Sequence, residues 1–130
     1  MTGRNNHIRR LRRLMFWAAA FSACALLTSR SVIAADLDAG AKVVARRCAQ
    51  CHGATGMGDG MALTELNIAV RPVPWPDKVG MAKFSDDQLT QIITQGGKAV
   101  GKSGAMPKFH NKLSDEQIAD VVAYIRSLAP

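Results

Sequence analysis

Residues 46–61, which read RRCAQCHGATGMGDGM, constrain this chain more than any other stretch. Cys48 and Cys51 lie three positions apart, His52 follows directly, and four glycines occur in the next eight residues. Residues three apart on a helical turn face the same side, so both thiols can reach one edge of a bound group. The cluster therefore predicts a site at which the chain holds a metal, a cofactor or a redox-active dithiol.

The start of the chain has the composition of an export signal. Residues 1–13 carry five arginines and no acid, and residues 14–27 are an unbroken apolar run. That run is shorter than the roughly 20 residues that a membrane span needs. A basic start, a short apolar middle and small residues at its end are typical of a secretory signal peptide.

Two overlapping motifs offer a cleavage site for that signal, Val32-Ile33-Ala34 and Ile33-Ala34-Ala35. We expect residues 1–35 to be the signal peptide, residues 36–130 to be one mature domain, and the mature protein to be periplasmic. Cys24 gives an alternative, because Phe21-Ser22-Ala23-Cys24 resembles a lipidation motif. Only lipidation at Cys24 would anchor the protein to a membrane.

The high net charge belongs mostly to the signal. Six of the 17 basic residues and none of the 10 acidic residues lie in residues 1–35, so the mature part carries a net charge of only +1. This balance removes the argument for nucleic-acid binding.

Three segments of the mature part have helical periodicity, and none alternates as a strand does. The predicted helices cover residues 37–49, 85–95 and 114–128. Ser85 and Ser114 each have a glutamine three residues later, as in a capping box. The proline-rich residues 71–76 are expected to be extended. A small all-α domain with long loops and few aromatic side chains has a limited core and needs a central group.

Three chemistries fit the Cys48-Ala-Gln-Cys51-His52 cluster. A redox dithiol is expected beside a βαβ pattern, which this sequence lacks. A structural zinc site needs four ligands, and outside the cluster the mature chain offers only His110 and carboxylates. Attachment of a c-type haem has the signature Cys-x-x-Cys-His and agrees with the export signal, which makes it the favoured interpretation.

On these residues the mature part resembles the class I cytochromes c of the short bacterial type. The resemblance implies an all-α fold with helices packed around one covalent haem c, held by Cys48 and Cys51, with His52 as an axial iron ligand. It also implies a close crossing of the first and last helices. Gly40 and Val44 match the first helix of that crossing, and Val121 and Tyr124 match the last.

The same resemblance implies a methionine as the second axial ligand, from a loop before the last helix, and Met106 matches that position. Met57, Met61 and Met81 are less suitable by position, and His110 is the principal rival. Ligation by His52 and Met106 would leave no open iron site, so we expect an electron carrier and not an enzyme. A haem subunit bound to a larger oxidoreductase or oxidase is the alternative, followed by a haem-based sensor.

Redox proteins are the expected partners, as electron donor and acceptor. No acid lies between Asp87 and Asp115, whereas four lysines do: Lys98, Lys102, Lys108 and Lys112. These lysines are expected to form a docking patch for an acidic surface near the haem edge. Trp75 is expected either to line the haem or to lie in the core, and a carbonyl of residues 71–76 to accept the second ring N–H of His52.

Overall fold

A computed structural model describes residues 34–129 of the chain, so Cys24 and all but the last two residues of the predicted signal peptide lie outside the described residues. Six α-helices and one 3₁₀ helix occur in this range, without a strand. They are α1 (Leu37–Arg47), α2 (Ala49–His52), α3 (Ala62–Glu65), α4 (Lys78–Met81), α5 (Asp86–Gln95), the 3₁₀ helix Gly97–Val100, and α6 (Asp115–Ser127). The all-α prediction is confirmed. No helix in residues 34–129 is long and apolar enough to cross a membrane.

Helices α1 and α6 pack against each other, as expected from the resemblance. Gly40 is buried at the contact, where an added Cβ would lie 2.7 Å from the carbonyl carbon of Asp120 and 2.9 Å from Cβ of Tyr124. Val44 and Val121 are each only 2% exposed. The missing side chain of Gly40 therefore lets the two helix backbones approach closely.

The two predicted capping boxes are present. The Ser85 hydroxyl accepts from the Gln88 backbone N–H at 3.1 Å, and the Gln88 side chain accepts from the Ser85 N–H at 2.8 Å. Ser114 and Gln117 make the same reciprocal pair at the start of α6. Each box satisfies two N–H groups that a helix start leaves without intrahelical partners, which fixes where α5 and α6 begin.

The first helix differs slightly from its predicted span. It ends at Arg47, because Cys48 has a φ of −115°, and the chain then forms the separate single turn α2. Residues 71–74 belong to no helix or strand and residues 75–76 form a turn, so the segment is irregular and its predicted extended conformation ends at Pro74 at the latest. The short helices α3 and α4 and the 3₁₀ helix were not predicted, because segments of four residues carry too little periodicity to be recognised.

The core joins α1, α5 and α6 to side chains from the irregular segments. Its buried members are Val44, Trp75, Met81, Leu89, Ile93, Phe109, Ile118, Val121, Val122 and Ile125. Arg126 of α6 reinforces the same contact by donating to the backbone carbonyls of Met81 and Phe84 and to the carboxylate of Asp86. The segment that precedes α5 is thus held against the last helix.

Candidate functional site: a cavity lined by the cysteine–histidine cluster

The cysteine–histidine cluster lies where α1 ends and α2 begins. The Cys48 carbonyl accepts from the N–H groups of both Cys51 and His52, at 3.1 and 2.9 Å, which keeps these residues in one helical turn. Both thiols are free and half-buried. The turn therefore brings the two sulfur atoms and the imidazole to one side of the backbone, as the spacing predicted.

This cluster opens into a cavity of about 300 Å³ between the helices and the loops. Cys48, Cys51 and His52 line one part of it. The rest is mainly apolar, with contributions from Leu63, Ile68, Val70, Pro72, Val73, Trp75, Met81, Phe84, Leu89, Ile92, Ile93, Met106, Pro107, Phe109, Leu113, Val121 and Ile125. A concave apolar site with a few polar groups is the usual form of a ligand or cofactor site.

The His52 ring stacks on the Trp75 ring, with 4.8 Å between centroids and 21° between planes. Burial lowers the pKa of His52, so the imidazole is neutral at pH 7, which is the form that binds metals. The expected hydrogen bond from His52 to a carbonyl of residues 71–76 is absent, since Nδ1 is buried without a partner among the described residues. That expectation was wrong here, and the same segment instead contributes Trp75, whose ring stacks on the face of the imidazole.

Trp75 lies in the core, which was one of the two predicted alternatives, with 5% of its surface exposed. It also lines the cavity. Its position is fixed by the glycine loop that follows His52. The backbone N–H of Trp75 donates to the Gly56 carbonyl at 2.8 Å, and a Cβ at Gly56 would overlap the Trp75 ring. Gly53, Gly56 and Gly58 have φ values of +82°, +75° and +71°, which favour glycine.

The environment of the Cys48 thiol disfavours the reactive thiolate form. Burial, and secondarily the neighbouring Cys51, raise the pKa of Cys48 to about 11. Catalytic dithiols work through a cysteine whose pKa is lowered, because the thiolate is the nucleophile. The pKa of Cys48 therefore argues against a redox dithiol. No group of three or more metal-binding side chains occurs in residues 34–129, which leaves the zinc interpretation without a ligand set.

The predicted iron-ligating methionine reaches the cavity. Met106 is half-buried in its lining, and its carbonyl accepts from Gly97 N–H at 3.0 Å, so the loop is held at the end of α5. Met57 and Met61 are 50% and 75% exposed and do not line the cavity. His110 is exposed and outside the lining as well.

Met81 differs from its sequence-based assessment. It is 3% exposed and lines the same cavity as Met106. Its position before a capped helix gave no sign of this, because the contact depends on how the 71–84 segment folds back onto α6. The cavity therefore contains two thioethers, and they have to be separated by experiment.

Among residues 34–129, the cationic side chains of Arg71 and Lys102 line the cavity and no acidic side chain does. Arg71 was not predicted; its guanidinium donates to the Gly58 carbonyl at 3.3 Å. Lys102 Nζ lies 5.3 Å from the centre of the Phe84 ring. Of the four predicted docking lysines, all are exposed but only Lys102 lines the cavity.

The lining fits a haem. Two free thiols and an imidazole line one side of the cavity, and the thioether of Met106 lines another part of it. The remaining walls are mainly apolar. Arg71 and Lys102 match the two carboxylates that the porphyrin carries. These residues are the ones that would hold the group.

Comparisons with known proteins agree with this site. Residues 35–125 match the family model described as cytochrome c oxidase, cbb3-type, subunit III. A cytochrome c6 from Thermosynechococcus vestitus is 36% identical over 105 residues, which cover 79% of this chain and 81% of that protein. A cytochrome c6 from Picosynechococcus is 29% identical and covers 92% of this chain and 96% of that protein.

A third relative is part of a larger protein. The gluconate 2-dehydrogenase cytochrome c subunit of Pantoea cypripedii is 32% identical over 96 residues, which are 70% of this chain but 20% of that subunit. No solved structure matches the chain significantly. The family model, the relatives and the Cys-x-x-Cys-His turn in its apolar cavity agree, and the chain therefore belongs to the cytochrome c family, as a class I monohaem cytochrome with covalently bound haem c.

Proposed function

We propose that this chain is a periplasmic one-electron carrier whose haem is attached through Cys48 and Cys51 and whose iron is ligated by His52 and Met106. The observation that carries the proposal is the shared cavity, which His52 and Met106 both line. When bound, the haem supplies a one-electron oxidation and reduction. Two protein ligands would leave no iron position for oxygen or a substrate, so the proposal excludes catalysis at the iron.

The surrounding residues have definable tasks in this proposal. Burial keeps His52 neutral and ready to ligate. The thioether of Met106 favours the ferrous state and raises the reduction potential. The apolar walls, including Ile93, Phe109 and Val121, would keep water away from the iron and reduce the solvent rearrangement that accompanies electron transfer.

Substitution of each methionine tests the ligand assignment. We expect Met106→Ala to lose the far-red absorption that a bond between thioether and ferric iron produces, and its reduced form to bind carbon monoxide. Met81→Ala is the matched control, since it removes the other thioether of the same cavity. Loss of the far-red band in Met81→Ala alone would reassign the ligand to Met81.

We also propose that an acidic face of a redox partner docks beside Lys102. The side chain is exposed, lines the cavity and is close to Lys108 in sequence. Because opposite charges accelerate encounter at low salt, the proposal predicts a strong dependence of electron transfer on ionic strength. Lys112 belongs to a different surface, because it lines a groove together with Lys42, Arg46 and Arg47.

Hexacyanoferrate(III), an anionic oxidant, is a suitable probe. We expect its reaction with the reduced protein at low salt to slow about tenfold in Lys102→Glu/Lys108→Glu. Lys42→Glu/Arg46→Glu makes the same change of net charge on the α1 groove and should have a smaller effect. Equal rates for the two double variants would show that only net charge matters.

A haem subunit of a larger redox complex is the second candidate. It is favoured by exposed apolar side chains in the segment between the haem cluster and α5: Met61 at 75%, Val79 at 74%, Leu66 at 69% and Val70 at 63%. A contiguous exposed apolar patch is typical of an interface. Purification from the native host under mild conditions distinguishes the two, because a carrier elutes alone and a subunit elutes with its partner.

A further inference from the structure

Asp120 is the one charged side chain that is buried among residues 34–129, with 6% of its surface exposed. Its Oδ1 accepts from the backbone N–H of Asp36 at 2.8 Å. In the described part of the chain the only ion pair is Arg126–Asp86, so no side-chain cation neutralises this carboxylate. A largely buried carboxylate that accepts from a single neutral N–H has lost part of the hydration that stabilises its charge.

The partner atom belongs to the residue at which the folded domain starts. The Asp36 carboxylate caps α1 by accepting from the N–H groups of Asp38 and Ala39, at 2.9 and 3.0 Å. Ala34 and Ala35 are exposed and lie outside any helix. The nitrogen that meets the buried carboxylate is therefore also the nitrogen of the peptide bond between Ala35 and Asp36.

We propose that the export peptidase hydrolyses the Ala35–Asp36 bond, and that the amino terminus created at Asp36 forms an ion pair with Asp120. Water adds across the peptide bond, Ala35 keeps the new carboxylate, and the Asp36 nitrogen becomes an ammonium group. This reaction supplies the missing cation at the atom that already donates to Asp120. The proposal rests on the export signal and is independent of the iron ligands.

The geometry separates this bond from the alternative cleavage site one residue earlier. Cleavage after Ala34 would place the ammonium on Ala35, and the Asp36 nitrogen would remain a neutral amide. Cleavage after Ala35 places the charge on the donor atom at 2.8 Å from Oδ1. An ammonium group adds the attraction between opposite charges to that hydrogen bond, so the second product has the more stable junction of α1 and α6.

The mass of the exported full-length protein, produced with its own leader, tests the cleavage site. We expect the mature chain to begin at Asp36. A chain that begins at Ala35, or that keeps the leader, overturns the proposal. Edman sequencing of the same sample confirms the assignment independently of any modification elsewhere.

Acylation of the amino terminus tests the ion pair itself. We expect limiting acetic anhydride to modify the Asp36 amino group about tenfold faster in Asp120→Asn than in the unsubstituted protein, because pairing keeps the amine protonated. Asn keeps the acceptor oxygen and removes only the charge. Glu116→Gln, an exposed change on the same helix, is the control, and Lys42 acylation is the internal reference for reagent strength. Equal rates in all three proteins overturn the ion pair.

Discussion

Gly40 offers the most direct test of the helix crossing, because Gly40→Ala sets two opposing effects against each other. Alanine is more favourable than glycine in a helix interior by about 1 kcal/mol. The added Cβ, however, would lie 2.7 Å from the Asp120 carbonyl carbon and 2.9 Å from Tyr124 Cβ, and closer still to the Asp120 carbonyl oxygen. Ordinary contacts of this kind begin at 3.4 Å.

The clash is with backbone, so it cannot be relieved by a change of rotamer. Helices α1 and α6 would have to separate by about 1 Å, which disturbs the contacts of Val44 and Val121, and overpacking costs about 1–3 kcal/mol. We expect the upper part of that range because the obstacle is rigid. After subtraction of the helix-propensity gain, Gly40→Ala should lower the free energy of unfolding by about 2 kcal/mol.

Unfolding of the haem-loaded protein in guanidinium chloride measures this difference. Trp75 fluorescence reports unfolding, because a bound haem quenches it in the native state. We expect a lower midpoint with an unchanged dependence on denaturant. Gly104→Ala is the control: its Cβ would meet only Lys98 Cβ at 4.0 Å, and its stability should match the unsubstituted protein or exceed it slightly. A Gly40→Ala protein at least as stable as the unsubstituted one would refute the close crossing.

Five further substitutions test other parts of the fold by unfolding in guanidinium chloride, followed by circular dichroism because Trp75→Leu removes the fluorescent side chain. Arg126→Ala should lower the free energy of unfolding by about 3 kcal/mol, because the carbonyls of Met81 and Phe84 lose a charged donor. Asp86→Asn should lower it by less than about 1 kcal/mol, because that carboxylate is 71% exposed. Trp75→Leu should cost about 2 kcal/mol and shift the NMR resonances of the His52 ring, while Phe109→Leu should cost a similar amount and leave those resonances in place. Ser114→Ala should cost about 1 kcal/mol, and an unchanged midpoint would contradict the role of its capping box.

Local patterns were sufficient to predict the three longest helices, α1, α5 and α6. Ser85 with Gln88, and Ser114 with Gln117, act through neighbours three residues apart, so their effect is contained in the sequence itself. Gly40 is different, since its role became predictable only through the resemblance to class I cytochromes c. Glycine in a helix is otherwise merely unfavourable, and nothing local indicates that a second helix crosses there.

The residues that line the cavity were predictable only in part. The spacing of Cys48, Cys51 and His52 determines that they share one side of a turn, whatever the rest of the chain does. Met81 and Arg71 reach the cavity because the irregular segment between them folds back, and no periodicity records that path. The position of Arg71 depends on a contact with Gly58 thirteen residues earlier, which a local pattern cannot encode.

The stacking of His52 on Trp75 depends both on a local sequence pattern and on a contact between residues distant in sequence. Gly56 has a positive φ and leaves space that the Trp75 ring fills. The backbone N–H of Trp75 donates to the Gly56 carbonyl. The loop that begins at His52 thus fixes the aromatic ring that stacks on it. A side chain at Gly56 would displace Trp75 first and His52 as a consequence, so the glycine acts on the proposed iron ligand without contacting the iron. Gly56 therefore contributes to the position of the proposed ligand as well as to the turn of the chain.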